Sequence, residues 1–350
     1  MIKRTETRKI KIGNTTIGGS NRILIQSMCD IKTSKIKSVI AQINKCASLG
    51  ADIMRVSVLD EKDAKAIKEI KKGISIPLVA DFHFDYKLAL LSIKNGADAI
   101  RINPGNIGSI EKIKFVVDAC NEKNIPIRIG VNSGSMDKEI FNYDSKLTAQ
   151  KMVDSIKKHV QILENLNFHN IVLSLKSSDV ETTIKAYKLI SDIYSYPLHI
   201  GVTEAGTKDI SLIKTSLAFG VLLSEGIGDT IRVSMTSSPY EEIIAAKRIL
   251  HELNLYPNYY SLISCPTCGR CMVDVEKIAN QIEEYLEASN KKITVAVMGC
   301  VVNGPGEAKS ADLGIAGGKN SFVLFKKGKI IKTIKEENAI EELKKEIDNF

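Results

Sequence analysis

Tryptophan is absent from this 350-residue chain, and all aromatics together make up 5% of it. That leaves too few rings to interleave with basic residues as a base-stacking platform for nucleic acid. No apolar run reaches the length of a membrane span. The opening "MIKRTETRKIKIGNTTIGG" is basic, but it lacks the apolar stretch of a secretory signal and carries Glu6. A reducing, cytoplasmic setting is therefore expected. There, seven cysteines point to metal binding or catalysis rather than to a disulfide framework. Neither H-x-H nor H-E-x-x-H occurs, which argues against a zinc hydrolase. No G-x-G-x-x-G follows the first strand-like run, which argues against a dinucleotide-binding sheet. What the chain does have is charge. Its formal net charge is +8, with lysines spread beside Glu and Asp as on a solvated surface. The same balance would also attract an anionic substrate or an acidic partner protein.

Short β-branched runs recur along the first two-thirds: 22–28, 53–58, 77–82, 99–104, 126–132, 171–176, 197–203 and 230–235. Most follow a Gly or Pro turn signal, and helical patterns such as 38–50 and 149–166 lie between them. Eight strand–helix repeats predict an α/β fold of the (β/α)8 TIM-like class over residues 1–258. The stretch 8–19 reads as a hairpin ahead of the first strand, plugging the lower end of the barrel. Near Tyr260 the rhythm changes, with 251–262 as the expected linker. Residues 259–350 read as a small α/β domain: a cysteine turn, a helix over 275–288, a strand over 293–299, a hairpin over 321–334 and a C-terminal helix.

Four strands carry an arginine between apolar residues: Arg55, Arg101, Arg128 and Arg232. Alternation along a strand turns the flanking residues toward the helices and the arginine toward the barrel interior. An unpaired cation there would cost several kcal/mol. Convergence of these four with Lys176 at the end of the sixth strand points to a polyanion, whose oxygens suit guanidinium forks. Asp81, His83, Asn103, Asn132 and Glu204 stand at strand ends, where active sites of such barrels lie.

"SCPTCGRC" (264–271) and "GCVVNGPGEA" (299–308) place Cys265, Cys268, Cys271 and Cys300 in two loops. Four thiolates suit a structural zinc. Thiolates also suit an iron–sulfur cluster, although the C-x2-C-x2-C-x3-C-P ferredoxin run is absent. Glycines let backbone N–H groups approach an anionic centre. Glu307, seven residues past Cys300, has no place in a four-thiolate zinc site and would suit an iron that exchanges its ligand. Both readings stand on spacing alone. Cys29 follows "QSM" at the rim and reads as a loop residue; Cys46 and Cys120 read as packing residues.

Together "QSM", "RVSV", "PLVADFHFDY", "RINPGNIG", "RIGVNSGS", "GVTEAG", "GIGDTIRVS", "SCPTCGR" and "GCVVNGPGEA" resemble, in order and over nearly the whole chain, the IspG/GcpE family of 4-hydroxy-3-methylbut-2-enyl diphosphate synthases. The likeness is to the two-domain bacterial form. The resemblance implies a [4Fe–4S] cluster on Cys265, Cys268, Cys300 and Glu307. It implies a cyclic diphosphate substrate held by Arg55, Arg101, Arg128, Asn132, Lys176 and Arg232, with Asp81, His83 and Asn103 on the same rim. Glu204 would be the proton donor and flavodoxin or ferredoxin the electron donor. The family's homodimer closes one chain's cluster domain over the other chain's barrel. Cys271 is an extra thiol, expected to be a bystander, although its spacing could reach an iron. Two rivals follow from the residues alone: a zinc-stapled lyase or aldolase with Lys176 as Schiff-base lysine, and a basic RNA-binding barrel.

Overall fold

The computed structural model describes residues 5–82, 85–102, 109–133, 145–289, 291–301, 306 and 308–350. The expectations for His83, Asn103 and Glu307 fall outside the described residues. The chain divides into two compact units, Met1–Leu255 and Tyr256–Phe350.

The first unit opens with a hairpin, β1 (Ile10–Ile12) and β2 (Thr15–Ile17). Eight parallel strands follow: β3 (Leu24–Met28), β4 (Ile53–Ser57), β5 (Leu78–Asp81), β6 (Ala99–Ile102), β7 (Ile127–Asn132), β8 (Ile171–Lys176), β9 (His199–Ile200) and β10 (Thr230–Ile231). Their order is β8-β7-β6-β5-β4-β3-β10-β9. A parallel bridge from Leu173 to Leu198 joins the two ends and closes the ring. All eight strand runs read from the sequence are thus present. The last two are shorter than expected as ladders, because the chain leaves the sheet at the rim after Gly201 and Arg232.

Helices alternate with the strands as α1 (Ile36–Ser48), α2 (Glu61–Lys72), α3 (Tyr86–Lys94), α4 (Ile110–Lys123), α5 (Ser145–Asn165), α6 (Val180–Ile193), α7 (Lys208–Ser224) and α8 (Pro239–Glu252). Asp60, Asp85 and Asp179 begin α2, α3 and α6 by accepting backbone N–H groups of the first turn, the ordinary N-cap arrangement. Met54, Val56, Ile100, Ile102, Ile127 and Ile129 are fully buried. They face the helices, where burying each such side chain is worth about 1.5–3 kcal/mol.

Inside the barrel the chemistry changes with height. At the N-terminal end Ile10, Ile12 and Ile17 of the hairpin pack on Leu24, Ile53, Val79, Ala99 and Val172. Two residues further along the same strands stand Gln26, Arg55, Asp81, Arg101 and Ser174. The pleat's period of two therefore stacks an apolar floor beneath a charged layer.

The second unit is a five-stranded sheet ordered β11 (Ser261–Ser264), β12 (Thr294–Met298), β13 (Leu313–Gly318), β14 (Ser321–Lys326) and β15 (Lys329–Lys335). The first three strands run parallel and the last two pairings are antiparallel. Helices α9 (Val275–Ser289) and α10 (Ala339–Asp348) pack against it. The sequence reading missed β11 and β13. The linker is also shorter than read: α8 runs through Glu252 and β11 starts at Ser261. Tyr259 and Tyr260 are buried in the core of the second unit, with Tyr256 packed against them.

Candidate active site

Moving up from the apolar floor, the barrel opens into a cavity of about 240 Å³ at the C-terminal strand ends. Arg55, Arg101, Arg128, Lys176 and Arg232 all line it, with Asp81 and Asn132. The four strand arginines and the lysine therefore do share one volume.

Three of the cations have carboxylate partners. Asp81 lies 3.5 Å from Arg55 and 3.4 Å from Arg101. Glu242, on the first turn of α8, accepts from Arg232 Nε and Nη2 at 3.1 and 3.0 Å and from Ser27 Oγ at 2.6 Å. Arg128 rests instead on the neutral amide oxygen of Gln26, and Lys176 on a ring nitrogen of His199 at 3.2 Å. Among the described residues, five cations against two carboxylates leave an excess of positive charge in a buried space. Burial pulls the Arg55 guanidinium down to about 10, an effect that Asp81 opposes. Burial, then the neighbouring guanidinium Arg55, pulls Arg128 well below its ordinary value. Burial, then Arg232 and Arg128, does the same to Lys176. A group of anionic oxygens entering the cavity would reverse these shifts, so the arrangement is suited to a polyanion.

Alternation would have revealed further lining residues. Met28, Gly130, Ser174 and Ser234 lie two positions from Gln26, Arg128, Lys176 and Arg232. His199 and Thr203 lack such a flanking arginine as a signal. Glu242 reads in sequence as an ordinary first-turn acid of a helix. Glu204 is exposed, one residue past the lining Thr203, and its φ of 50° lies in the left-handed region. That conformation is uncommon for a residue other than glycine. Cys29 is buried and outside the cavity wall, and burial pushes its thiol up to about 12. Cys46 and Cys120 are buried in α1 and α4, as packing residues.

In the second unit, β11 and β12 are parallel neighbours paired from Ser261↔Thr294 to Ser264↔Val297. Cys265 follows the end of one strand, and Gly299 and Cys300 follow the end of the other, so both loops emerge at one sheet edge. The Gly299 N–H donates to Cys265 Sγ at 3.1 Å. Cys271 folds back, its N–H donating to the Cys268 carbonyl at 3.0 Å. Cys265, Cys268, Cys271 and Cys300 line one cavity of about 190 Å³ with Arg270. The backbone N–H of Arg270, then its side chain, lowers the Cys268 thiol below its ordinary value. A Cβ on Gly299 would meet Cys271 Sγ at 2.5 Å and Cys265 Sγ at 3.4 Å, so glycine there leaves room for the thiols. The space is several times the ~30 Å³ share of one water molecule. A wall of this size carrying four thiols fits an iron–sulfur group. Cys271 lies in this wall beside the three cysteines named as ligands.

Comparison with known proteins agrees with this architecture. A model of the GcpE TIM-barrel domain matches residues 7–247, and one of the GcpE protein C-terminal domain matches residues 261–349. A Clostridium acetobutylicum protein named 4-hydroxy-3-methylbut-2-en-1-yl diphosphate synthase (flavodoxin) is 53% identical over 349 residues, covering 100% of both chains. Relatives of the same name from Caldanaerobacter subterraneus and Bacillus subtilis are 56% and 51% identical. They are matched over 100% and 99% of this chain and over 99% and 92% of their own. Among solved structures, dihydropteroate synthase from Stenotrophomonas maltophilia superposes with a TM-score of 0.52 at 14% identity. It covers 67% of this chain and 92% of its own, a likeness of barrel fold alone. With both domain models in register on the two units and identities above 50% end to end, this chain belongs to the GcpE family.

Proposed function

We propose that this chain reduces 2-C-methyl-D-erythritol 2,4-cyclodiphosphate to 4-hydroxy-3-methylbut-2-enyl diphosphate, opening the ring and losing water. It would do so in the cytoplasm, within the methylerythritol phosphate route to isoprenoids. The observation that carries the reading is the cavity on which, among the described residues, five cations converge with Asp81 in its wall and Glu242 behind Arg232 as their carboxylate partners, in a chain whose full-length relatives bear that enzyme's name. Arg128 and Lys176, each resting on a neutral acceptor, have charge free for the diphosphate. Asp81 and Glu242 fix Arg55, Arg101 and Arg232 as forks around it. As the ring C–O bond breaks, charge grows on the departing diphosphate oxygen, and preorganised guanidinium groups lower the cost of that charge. Glu204, at the rim, is the proposed proton donor to the oxygen lost as water. Asn132, His83 and Asn103 are proposed to hold the rest of the substrate.

Cys265, Cys268, Cys300 and Glu307 are the proposed ligands of a [4Fe–4S] cluster. When bound, that cluster would supply electrons singly and a Lewis-acidic iron. Flavodoxin, which appears in the relatives' names, or a ferredoxin is the proposed electron donor. The proposed assembly is a homodimer in which the cluster domain of one copy closes over the barrel of the other. An apolar stripe on α7 supports self-association: Ile210, Ile213, Leu217 and Val221 are all exposed at helical spacing. Groups of exposed large apolar residues on charged surfaces mark contact sites.

Anaerobic purification with iron, zinc and sulfide analysis, followed by calorimetric titration with the cyclodiphosphate, tests this reading. Iron and sulfide in equal amounts and saturable binding are expected. Stoichiometric zinc without sulfide, together with borohydride trapping at Lys176, would instead support the lyase.

A further inference from the structure

His199 takes no part in the proposed reaction, yet it lines the cavity and is 1% exposed. We propose that His199 is the positioning residue for Lys176. Its Nε2 accepts a hydrogen bond from the ammonium while its Nδ1–H donates to the Thr230 hydroxyl, so a neutral ring aims the charge at the diphosphate without cancelling it. The inference rests on reading the cavity as a diphosphate site.

Lysine needs such a device. Its four-carbon stem carries about 2 kcal/mol of rotamer entropy, and its head is a point charge without a fork to orient it. The neighbouring Arg55, Arg101 and Arg232 are aimed by carboxylates, which also offset part of their charge. Lys176 is aimed by an imidazole at 3.2 Å. The ring is fixed on its other side, with Nδ1 2.7 Å from Thr230 Oγ1. That contact follows from strand register, because His199 and Thr230 are paired directly across β9 and β10.

The backbone is fixed as well. The Tyr187 hydroxyl donates to the His199 carbonyl at 2.6 Å and accepts the Leu175 N–H at 3.1 Å. One phenol therefore ties the strand carrying His199 to the residue beside Lys176. Gly201 completes the arrangement: a Cβ there would meet Lys176 Nζ at 2.7 Å.

Burial, then the charge of Lys176 and of Arg128, Arg55 and Arg232, keeps the ring's proton affinity well below that of an ordinary histidine. The ring is therefore neutral, with one nitrogen a donor and the other an acceptor. With anionic oxygens in the cavity holding Lys176 in its charged form, the ammonium donates to Nε2, so the proton sits on Nδ1 and points at Thr230. A carboxylate at this position would grip the lysine harder but would remove the charge that the substrate needs. A neutral acceptor orients the lysine and leaves its charge in place.

Two readouts test the proposal on the anaerobically prepared full-length protein, with inorganic pyrophosphate as the probe. The chain has five histidines, so 15N-histidine labelling gives a sparse spectrum, and the signals lost in His199→Gln identify this ring. In the pyrophosphate-loaded protein it should be the Nδ1–H tautomer with Nε2 unprotonated; an Nε2–H ring would overturn the assignment.

Calorimetry supplies the second readout. His199→Gln offers an amide oxygen in place of Nε2 and should bind pyrophosphate within about threefold of wild type. His199→Phe keeps bulk without an acceptor and should bind about tenfold more weakly, the size of a lost hydrogen bond to a charged group. That loss should vanish in a Lys176→Met background, because the two residues act as one unit. Wild-type affinity in His199→Phe, or an equal loss with and without Lys176, would overturn the proposal. Should His199→Phe fail to melt cooperatively, Thr230→Val takes its place in the same cycle. A loss that depends on Lys176 supports the proposal, and no loss overturns it. If the wild-type protein does not bind pyrophosphate, the diphosphate reading falls and this proposal with it. If wild type binds and the variants are indifferent, only the positioning role falls.

Discussion

Arg128 differs from the other cavity arginines in one respect: its partner is the Gln26 amide rather than a carboxylate. Its charge is the least offset of the four, so it should matter most to an anion. Arg128→Ala should weaken binding of the cyclodiphosphate by about 2–4 kcal/mol in calorimetry, the range for leaving a buried charge without its partner. Arg128→Lys should recover little of this, because a point charge does not reproduce the fork. Wild-type affinity in both variants would remove Arg128 from the site.

A second residue sets a pH dependence. His159 on α5 is buried, its Nδ1 has no hydrogen-bond partner among the described residues, and burial, then Lys158, pulls its pKa down to about 4. The unfolded chain takes up this proton near the ordinary value of about 6.5, before the folded chain does. Stability is therefore intact above pH 6.5 and falls as pH drops through 4, by up to about 2 kcal/mol after allowance for screening by nearby water. His159→Leu should flatten that acid limb in denaturant titrations between pH 7 and 4; an unchanged slope would refute the assignment. The strand arginines were legible in the sequence because each stands between two apolar residues. His199 and Glu242 were not, because the first has no flanking pattern and the second is a helix residue that acts across the barrel rim.

At the scale of elements, the thiol cavity depends on two parallel strands ending together. Gly299 stands where the loop after β12 passes the cysteine turn, with a φ that glycine does not require. What requires glycine there is space. Gly299→Ala should push Cys271 and Val275 aside, shift the cysteine turn they belong to and lower the iron and sulfide content several-fold, while the melting curve of the barrel stays in place. Full iron and sulfide in that variant would show that the thiol wall is looser than the geometry implies. The eight barrel strands were legible because strands buried on both faces are near-continuous Val and Ile runs. β11 and β13 were not. "SLIS" is four residues beside a tyrosine-rich linker, and "LGIAGG" is half glycine. The glycines of β13 serve packing: a Cβ on Gly314 would meet Phe325 at 2.3 Å. The hairpin plug was legible, and its apolar contacts with five strand starts explain its place at the barrel floor.

At the scale of the whole molecule, each unit is proposed to supply one half of the chemistry, cations for the diphosphate from the barrel and thiols for iron from the sheet domain. The α7 stripe belongs to neither. If it pairs two copies, Leu217→Glu should convert a dimer to a monomer in sedimentation at micromolar concentration without lowering the melting temperature; a dimer that persists would place the contact elsewhere. The order of motifs along the chain was legible throughout, whereas the joining of residues far apart in sequence, such as Ser27 with Glu242 and His199 with Lys176, needs the closed barrel. Phosphorus NMR of a single anaerobic mixture reads the proposed reaction itself. The mixture holds the iron-loaded chain, a reduced flavodoxin and 2-C-methyl-D-erythritol 2,4-cyclodiphosphate. The cyclic diphosphate signals should give way to those of 4-hydroxy-3-methylbut-2-enyl diphosphate, and Cys300→Ser and Arg128→Ala should each suppress the change. Persistence of the cyclic diphosphate in the presence of a chain with a full complement of iron and sulfide would show that this chain does not carry out the reaction.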